Sequence, residues 1–380
     1  MRTMPDSTGL LRMRLAGEAA RMSDLQRLLP RAAAAGTNSR RVGLGDRLLR
    51  HQTWAQALAA SEDGWTRLTD ELARADALVD ELVALLMTQL LRESGLAEGT
   101  FDAAEAFLDE LVGLAGIPGL VLGQTQELES VDHTRASVAM RFPGARVWDL
   151  PFLAHEFGHH ATATLRNLDP GLSDNRPLAA TVTAVGKALA DAGTSPARAE
   201  AHASELVADA VATLCCGATY PIACLCLRVP PVPAATQANQ SHPAWTTRIA
   251  VTRIVLDALT EETKRAGYRQ MRERVVDPLA RTLLGRVPDA SPAALEAARR
   301  TVRTVRRHRP GLVYGDVDAA IEVAGFLVRL DPVPPQDATV AAVVDGAWRW
   351  RLDRVDPADD EAVGLLVTRY CAAVVKRRSP

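Results

Sequence analysis

Apolar residues recur at helical spacing along most of this chain, and the places where that rhythm fails divide it into segments. From about Thr66 to Leu91, the run Leu68, Leu72, Leu78, Val79, Leu82, Leu85 and Leu86 predicts one amphipathic helix, and Phe101 to Leu114 repeats the pattern. After Gly116 the period lapses. Short apolar runs punctuated by Gly and Pro then continue to about Leu150, which predicts two or three strands. Proline is at home in the first turn of a helix, where its missing N–H would have had no partner. Asp149 with Pro151 therefore opens a helix to about Leu165, Pro177 opens one to about Ala190, and Ser195 with Pro196 opens one to about Cys216. Beyond Trp245 the chain reads as helices broken at Pro278, Pro288, Pro310 and the PVPP run around Pro332, with no fixed-period repeat.

Composition sharpens this picture. The 380 residues are 47% hydrophobic, enough to bury a sizeable core, and the low aromatic content with abundant Ala, Leu and Arg favours helices over a β-rich architecture. One stretch, Val207 to Leu227, is long enough to span a bilayer and carries a single charge, Asp209. Gly217 and Pro221 interrupt it, so the expectation is a buried helix, a break and a second buried stretch, with no stable membrane insertion. Cys215, Cys216, Cys224 and Cys226 crowd the same run without a nearby His, which reads as core packing.

Charge is segregated along the chain although the total is only −2. Residues 1–50 hold ten arginines against four acids, and residues 60–132 hold sixteen acids against three arginines. Both read as solvated helix faces. A net charge so near zero exerts no global pull on nucleic acid, and no aromatic residues interleave the basic stretch Arg299–Arg309 to stack bases, so a nucleic-acid partner is disfavoured. That stretch is the candidate contact for an acidic partner. No apolar run of signal-peptide length stands at the N-terminus, and five cysteines form no even disulfide framework, so a reducing cytoplasm is the expected location.

The chemistry is concentrated in His155-Glu156-Phe157-Gly158-His159, an HExxH pattern that falls where a helix is already predicted. Residues four apart on a helix project about 40° apart, so His155 and His159 can reach one metal from one face. Neutral imidazoles suit Zn2+, and Glu156 beside them can serve as general base toward a water whose pKa the metal lowers. Such a motif arises by chance in roughly one chain in a hundred of this composition, so a third ligand decides its value. Thr162 and Leu165 stand where a metzincin would place its glycine and third histidine, which excludes that subclass. A gluzincin needs Glu on a second helix. The helix opened by Pro196 carries Glu205 and, four residues on, Asp209, giving a carboxylate ligand and an acceptor for the N–H of a liganding histidine. His160, Asp169 and Asp174 are the competitors; the first points about 100° away from His159, and the other two sit in a turn-rich loop.

A further motif follows in Ser241-His242-Pro243-Ala244-Trp245-Thr246-Thr247-Arg248-Ile249. HEFGHH, then ELVAD, then SHPAWTTRI, in that order over about residues 117–255, resembles the metallopeptidase family of the CAAX prenyl proteases and their heat-shock membrane-peptidase and soluble relatives. The resemblance implies that His155, His159 and Glu205 bind zinc and that His242 and Arg248 lie at the active site. It also implies a zincin-like core. The resulting expectation is an α+β, predominantly helical fold in which a zincin-like catalytic core carries a small, mainly antiparallel sheet. A basic arm spans 1–60, a metallopeptidase domain 61–258 and a helical region 259–380. The expected function is hydrolysis of protein or peptide substrates, with Glu156, His242 and Arg248 in catalysis. The alternative is a zinc-stabilised, catalytically silent interaction module.

Overall fold

A computed structural model describes residues 99–117, 121–125, 130–132, 137–141, 147–166, 176–230, 234–353 and 357–378. The basic arm, the helix expected at Thr66 to Leu91, and Asp169 and Asp174 lie outside the described residues. Twelve α-helices occur among those that are described: α1 (Thr100–Ala115), α2 (Leu150–Thr164), α3 (Pro177–Asp191), α4 (Pro196–Cys216), α5 (Thr219–Leu227), α6 (Trp245–Thr263), α7 (Ala266–Met271), α8 (Asp277–Leu284), α9 (Pro292–His308), α10 (Val317–Val328), α11 (Val340–Asp353) and α12 (Pro357–Arg378). All twelve belong to one compact unit, Ala97–Leu122 with Glu127–Pro380.

The helix starts follow from proline chemistry. α2, α3, α4 and α9 all carry Pro in their first turn, and Ser291 caps α9 by accepting a hydrogen bond from the backbone N–H of Ala294. Pro278 behaves differently from expectation, because α7 runs through a π-helical turn, Arg272–Val276, directly into α8. The wide turn carries Arg274, the residue whose carbonyl a proline at 278 would strike, so the ring is accommodated and the helix does not break.

At the centre is α4. Every residue from Glu205 to Tyr220 is buried, and α2, α3, α6 and α9 all pack against this helix. A helix apolar on all sides needs such a jacket. Gly217, at φ +60, ends α4, and α5 begins two residues later, so the apolar run from Val207 to Leu227 is the end of one helix and the whole of a second, buried except at Cys226 and Leu227. Among the described residues no helix is long and apolar enough to cross a membrane.

The expected α+β class does not hold. Three strands, β1 (Val121–Thr125), β2 (Ser130–Asp132) and β3 (Ser137–Arg141), have only five, three and five residues, and β2 pairs antiparallel with β3 in the register Val131 opposite Val138. That ribbon is too short to form a layer, and α2 is embedded by helices, so the architecture is helical and the sheet-supported, zincin-like core is corrected accordingly. The physical reason is supply: α4 alone offers apolar surface around its whole circumference, which other helices cover, leaving the ribbon against one side of α2.

One close approach fixes the site. A Cβ on Gly158 would stand 2.9 Å from the Ala208 Cα and 3.0 Å from its carbonyl oxygen, so only glycine lets α2 lie this near α4. Gly158→Ala is expected to lower stability by about 1–3 kcal/mol despite alanine's better helix propensity, since a backbone must move. Chemical denaturation checks this, and an unchanged midpoint would refute the tight crossing.

Along α9 the arginines are exposed, with Arg306 paired to Glu262 at 2.7 Å and Arg300 to Glu296. Just past its end, Arg309 donates to the carbonyls of Ala115 and Arg166, so this side chain ties α9 to the ends of α1 and α2.

Candidate metal centre

Helical spacing puts His155 and His159 on the face of α2 that meets α4, and the crossing at Gly158 brings Glu205 between them. The Nε2 atoms of the two histidines are 3.2 Å apart. Glu205 Oε1 lies 3.2 Å from His159 Nε2, and Oε2 lies 3.4 Å from His155 Nε2. Ligand atoms at about 2.0–2.1 Å from a tetrahedral zinc stand about 3.3–3.4 Å from one another. The three donors therefore already hold the spacing of one face of a zinc tetrahedron, and their hard-oxygen and imidazole chemistry suits that ion. Among the described residues this is the group of His, Cys, Asp and Glu donors close enough to share a metal. His160 is fully buried and outside the group.

Behind His155 stands a chain of polar contacts that turns its ring. Asp209 Oδ1 accepts from His155 Nδ1 at 3.0 Å, which leaves Nε2 facing Glu205. Asp209 is 1% exposed, and its charge is met by Arg248, whose Nε and Nη2 donate to its two oxygens at 2.8 and 2.7 Å. The same Nη2 is 3.4 Å from Glu205 Oε2. Arg248 rests over the Trp245 ring at 4.4 Å and is itself buried. Its fork is thus occupied in holding carboxylates, and a guanidinium so engaged is not free to turn toward a substrate.

Tyr220, which pattern reading along the sequence passes over, completes this network. Its hydroxyl donates to Asp209 Oδ1 at 2.5 Å and lies 3.1 Å from His155 Nδ1, while its ring stacks on the His155 imidazole with 6.0 Å between centroids. The available signal was a buried tyrosine in an otherwise apolar run, since such a hydroxyl must find a partner. The Gly217 turn decides which partner. Tyr220→Phe is expected to weaken zinc binding about tenfold while keeping the fold, as the loss of a group that orients a ligand usually does. Competition with a chromogenic chelator measures it, and unchanged affinity would remove Tyr220 from the site.

Electrostatics bind the cluster together. Burial opposes charge on His155, yet its hydrogen bonds with Asp209 and Glu205 prevail and push its pKa up to about 10. Burial likewise opposes charge on Glu205 and Asp209, but His155 and His159 around the first and Arg248 around the second hold both carboxyls well below the usual range. Burial, reinforced by the Asp209 charge, pushes the Tyr220 hydroxyl far up, so it stays a donor. The acids are therefore ionised, and a metal held by the cluster would take the place of the proton that His155 carries among them.

Glu156 is buried on α2 next to His155, at 8% exposure, and is not one of the clustered donors. His242 reaches the cluster from the other side: its Nε2 lies 3.8 Å from Glu205 Oε2, with the side chain 47% exposed. Sequence reading thus names Glu205 and the four residues, His155, His159, His242 and Arg248, that stand within 4 Å of its carboxylate. Comparison of the chain with protein-family models, curated proteins and solved structures finds no match, so the likeness to prenyl-protease motifs rests on these residues alone.

Proposed function

We propose that this chain is a zinc-dependent metallopeptidase that hydrolyses peptide bonds. The observation that carries the proposal is the largely buried His155, His159 and Glu205 triad at zinc-face spacing, with Glu156 next to His155 in the chain but not part of it. A site built only for structure normally closes with four protein ligands and has no use for such a base. Bound zinc supplies Lewis acidity, polarising a carbonyl and making water acidic enough to attack near neutral pH.

The remaining steps belong to the side chains. Glu156 takes the proton from the attacking water and delivers it to the departing amine. Amide hydrolysis also builds negative charge on the carbonyl oxygen, which requires a donor. His242 is assigned that role, since its half-exposed ring stands at the edge of the triad, whereas Arg248 holds Asp209 and Glu205 in place.

His242→Ala is accordingly expected to keep zinc and lower kcat about 10²–10³-fold, the usual effect of losing one such donor. Steady-state kinetics on a cleaved peptide test it, and an unchanged kcat would refute the assignment. The reading as a whole is tested by metal analysis of the purified protein together with a peptide-library cleavage assay. Stoichiometric zinc with no peptide cleaved would favour the silent, zinc-stabilised module instead.

A further inference from the structure

His242 lies in an exposed turn, where packing does little to hold a side chain, yet its hydrogen bonds are numerous. Asn239 Oδ1 accepts from the backbone N–H of Ser241 at 3.0 Å and of His242 at 2.6 Å, and the backbone N–H of Asn239 donates to the His242 carbonyl at 3.0 Å. The turn is therefore closed from both sides. It is also fastened to α4, the helix that carries Glu205: His202 Nε2 meets the Asn239 carbonyl at 3.0 Å and Arg198 Nη2 donates to the Ala238 carbonyl at 3.1 Å. His202 precedes Glu205 by less than one helical turn. Finally, Ser241 Oγ lies 2.8 Å from His242 Nδ1 and 3.3 Å from Asn239 Oδ1.

We infer that Asn239 and Ser241 are positioning residues that hold His242 in one rotamer, with Nε2 aimed at the space beside Glu205. The rotamer follows from the closed turn and from two contacts at opposite ends of the ring. Asn239 Oδ1 accepts from the Ser241 hydroxyl as well as from the two backbone N–H groups, and the hydroxyl so fixed stands 2.8 Å from Nδ1. At the other end, Nε2 stands 3.8 Å from Glu205 Oε2. A group that acts on a carbonyl oxygen must be aimed at it before the reaction, and this frame supplies the aim.

The inference rests on the peptidase reading for its catalytic consequence and on the turn geometry alone for the orientation of the ring. A histidine side chain freed from such a frame has three χ1 wells and about two broad χ2 wells, so the productive orientation falls to roughly one in six. Asn239→Ala and Ser241→Ala are therefore expected to lower kcat about fivefold, with KM within about twofold. Ser241→Thr, which keeps the hydroxyl, should restore the rate. In a His242→Ala background neither alanine substitution should lower the rate further, because residues that act through a third lose their effect with it. Equal losses in both backgrounds would overturn the proposal. A second measurement does not depend on turnover: nitrogen-15 spectroscopy of the imidazoles in the zinc-loaded full chain should show one His242 ring environment, shifted or averaged in Ser241→Ala. A His242 signal that is the same in both proteins would also overturn it. If no peptide is cleaved, the peptidase reading fails and the spectrum still decides the frame.

Discussion

Glu156→Gln is expected to leave zinc content and folding intact while lowering kcat for peptide cleavage by about 10²–10⁴-fold, the usual worth of a general base. Glutamine has the shape of glutamate and keeps one carbonyl-type oxygen, so the buried volume beside His155 stays filled and packing along α2 is preserved. What it lacks is basicity. An amide oxygen cannot take a proton from water at neutral pH or hand one to an amine, so only chemistry is lost. Because Glu156 is outside the cluster formed by His155, His159 and Glu205, the metal has no reason to leave. Parallel metal analysis and steady-state kinetics on one peptide decide the matter. A variant retaining most of the wild-type rate would take the base away from Glu156, and one that loses zinc would make it a ligand.

Glu205→Ala carries the second large effect, this time on the metal. It removes one of three donors and leaves two imidazole nitrogens 3.2 Å apart with nothing on the α4 side to close the face. Loss of a residue that merely orients a ligand weakens zinc binding 10–100-fold, so loss of a ligand itself is expected to exceed about 10²-fold. The charge balance shifts in the same direction: Arg248 Nη2, now 3.4 Å from Glu205 Oε2, would be left near the metal position with one carboxylate fewer to neutralise it. Zinc titration against a competing chelator gives the affinity. Thermal melts give an independent check, since zinc raises the melting temperature of the wild type by mass action and should raise that of the variant far less. Asp169→Ala and Asp174→Ala serve as comparisons and are expected to bind zinc as the wild type does. Should either of them lose zinc while Glu205→Ala keeps it, Glu205 is not the third ligand.

How this site came to be legible at all follows from the range of the interactions involved. His155 and His159 share a helix, as do Glu205 and Asp209, and a four-residue spacing fixes which face they occupy before any packing is known. Prolines 151, 177 and 196 mark helix starts for an equally local reason, and the observed boundaries of α2, α3 and α4 fall within a residue or two of those expected. The break at Gly217 belongs with them, because positive φ is a property of one residue.

Other features depend on residues far apart in the chain. Nothing near Tyr220 in sequence tells that its hydroxyl will find Asp209 and His155, sixty-five residues earlier. Arg248 could have been a free donor, and only the fork of two bonds to Asp209 across thirty-nine residues commits it to holding carboxylates. Short apolar runs punctuated by Gly and Pro after Gly116 suggest strands, but whether strands become a layer depends on what else competes to cover α2, and helices cover it. Pro278 reads as a break because the rule is local, and the π-turn that absorbs it is a response of the helix around it. By itself the sequence determined where the helices begin, which faces they share and which donors stand ready, since periodicity and dihedral preference act over a few residues. The tertiary structure alone decided which of those donors meet and which side chains hold them there, because hydrogen bonds and close packing between distant segments exist only once the helices have docked.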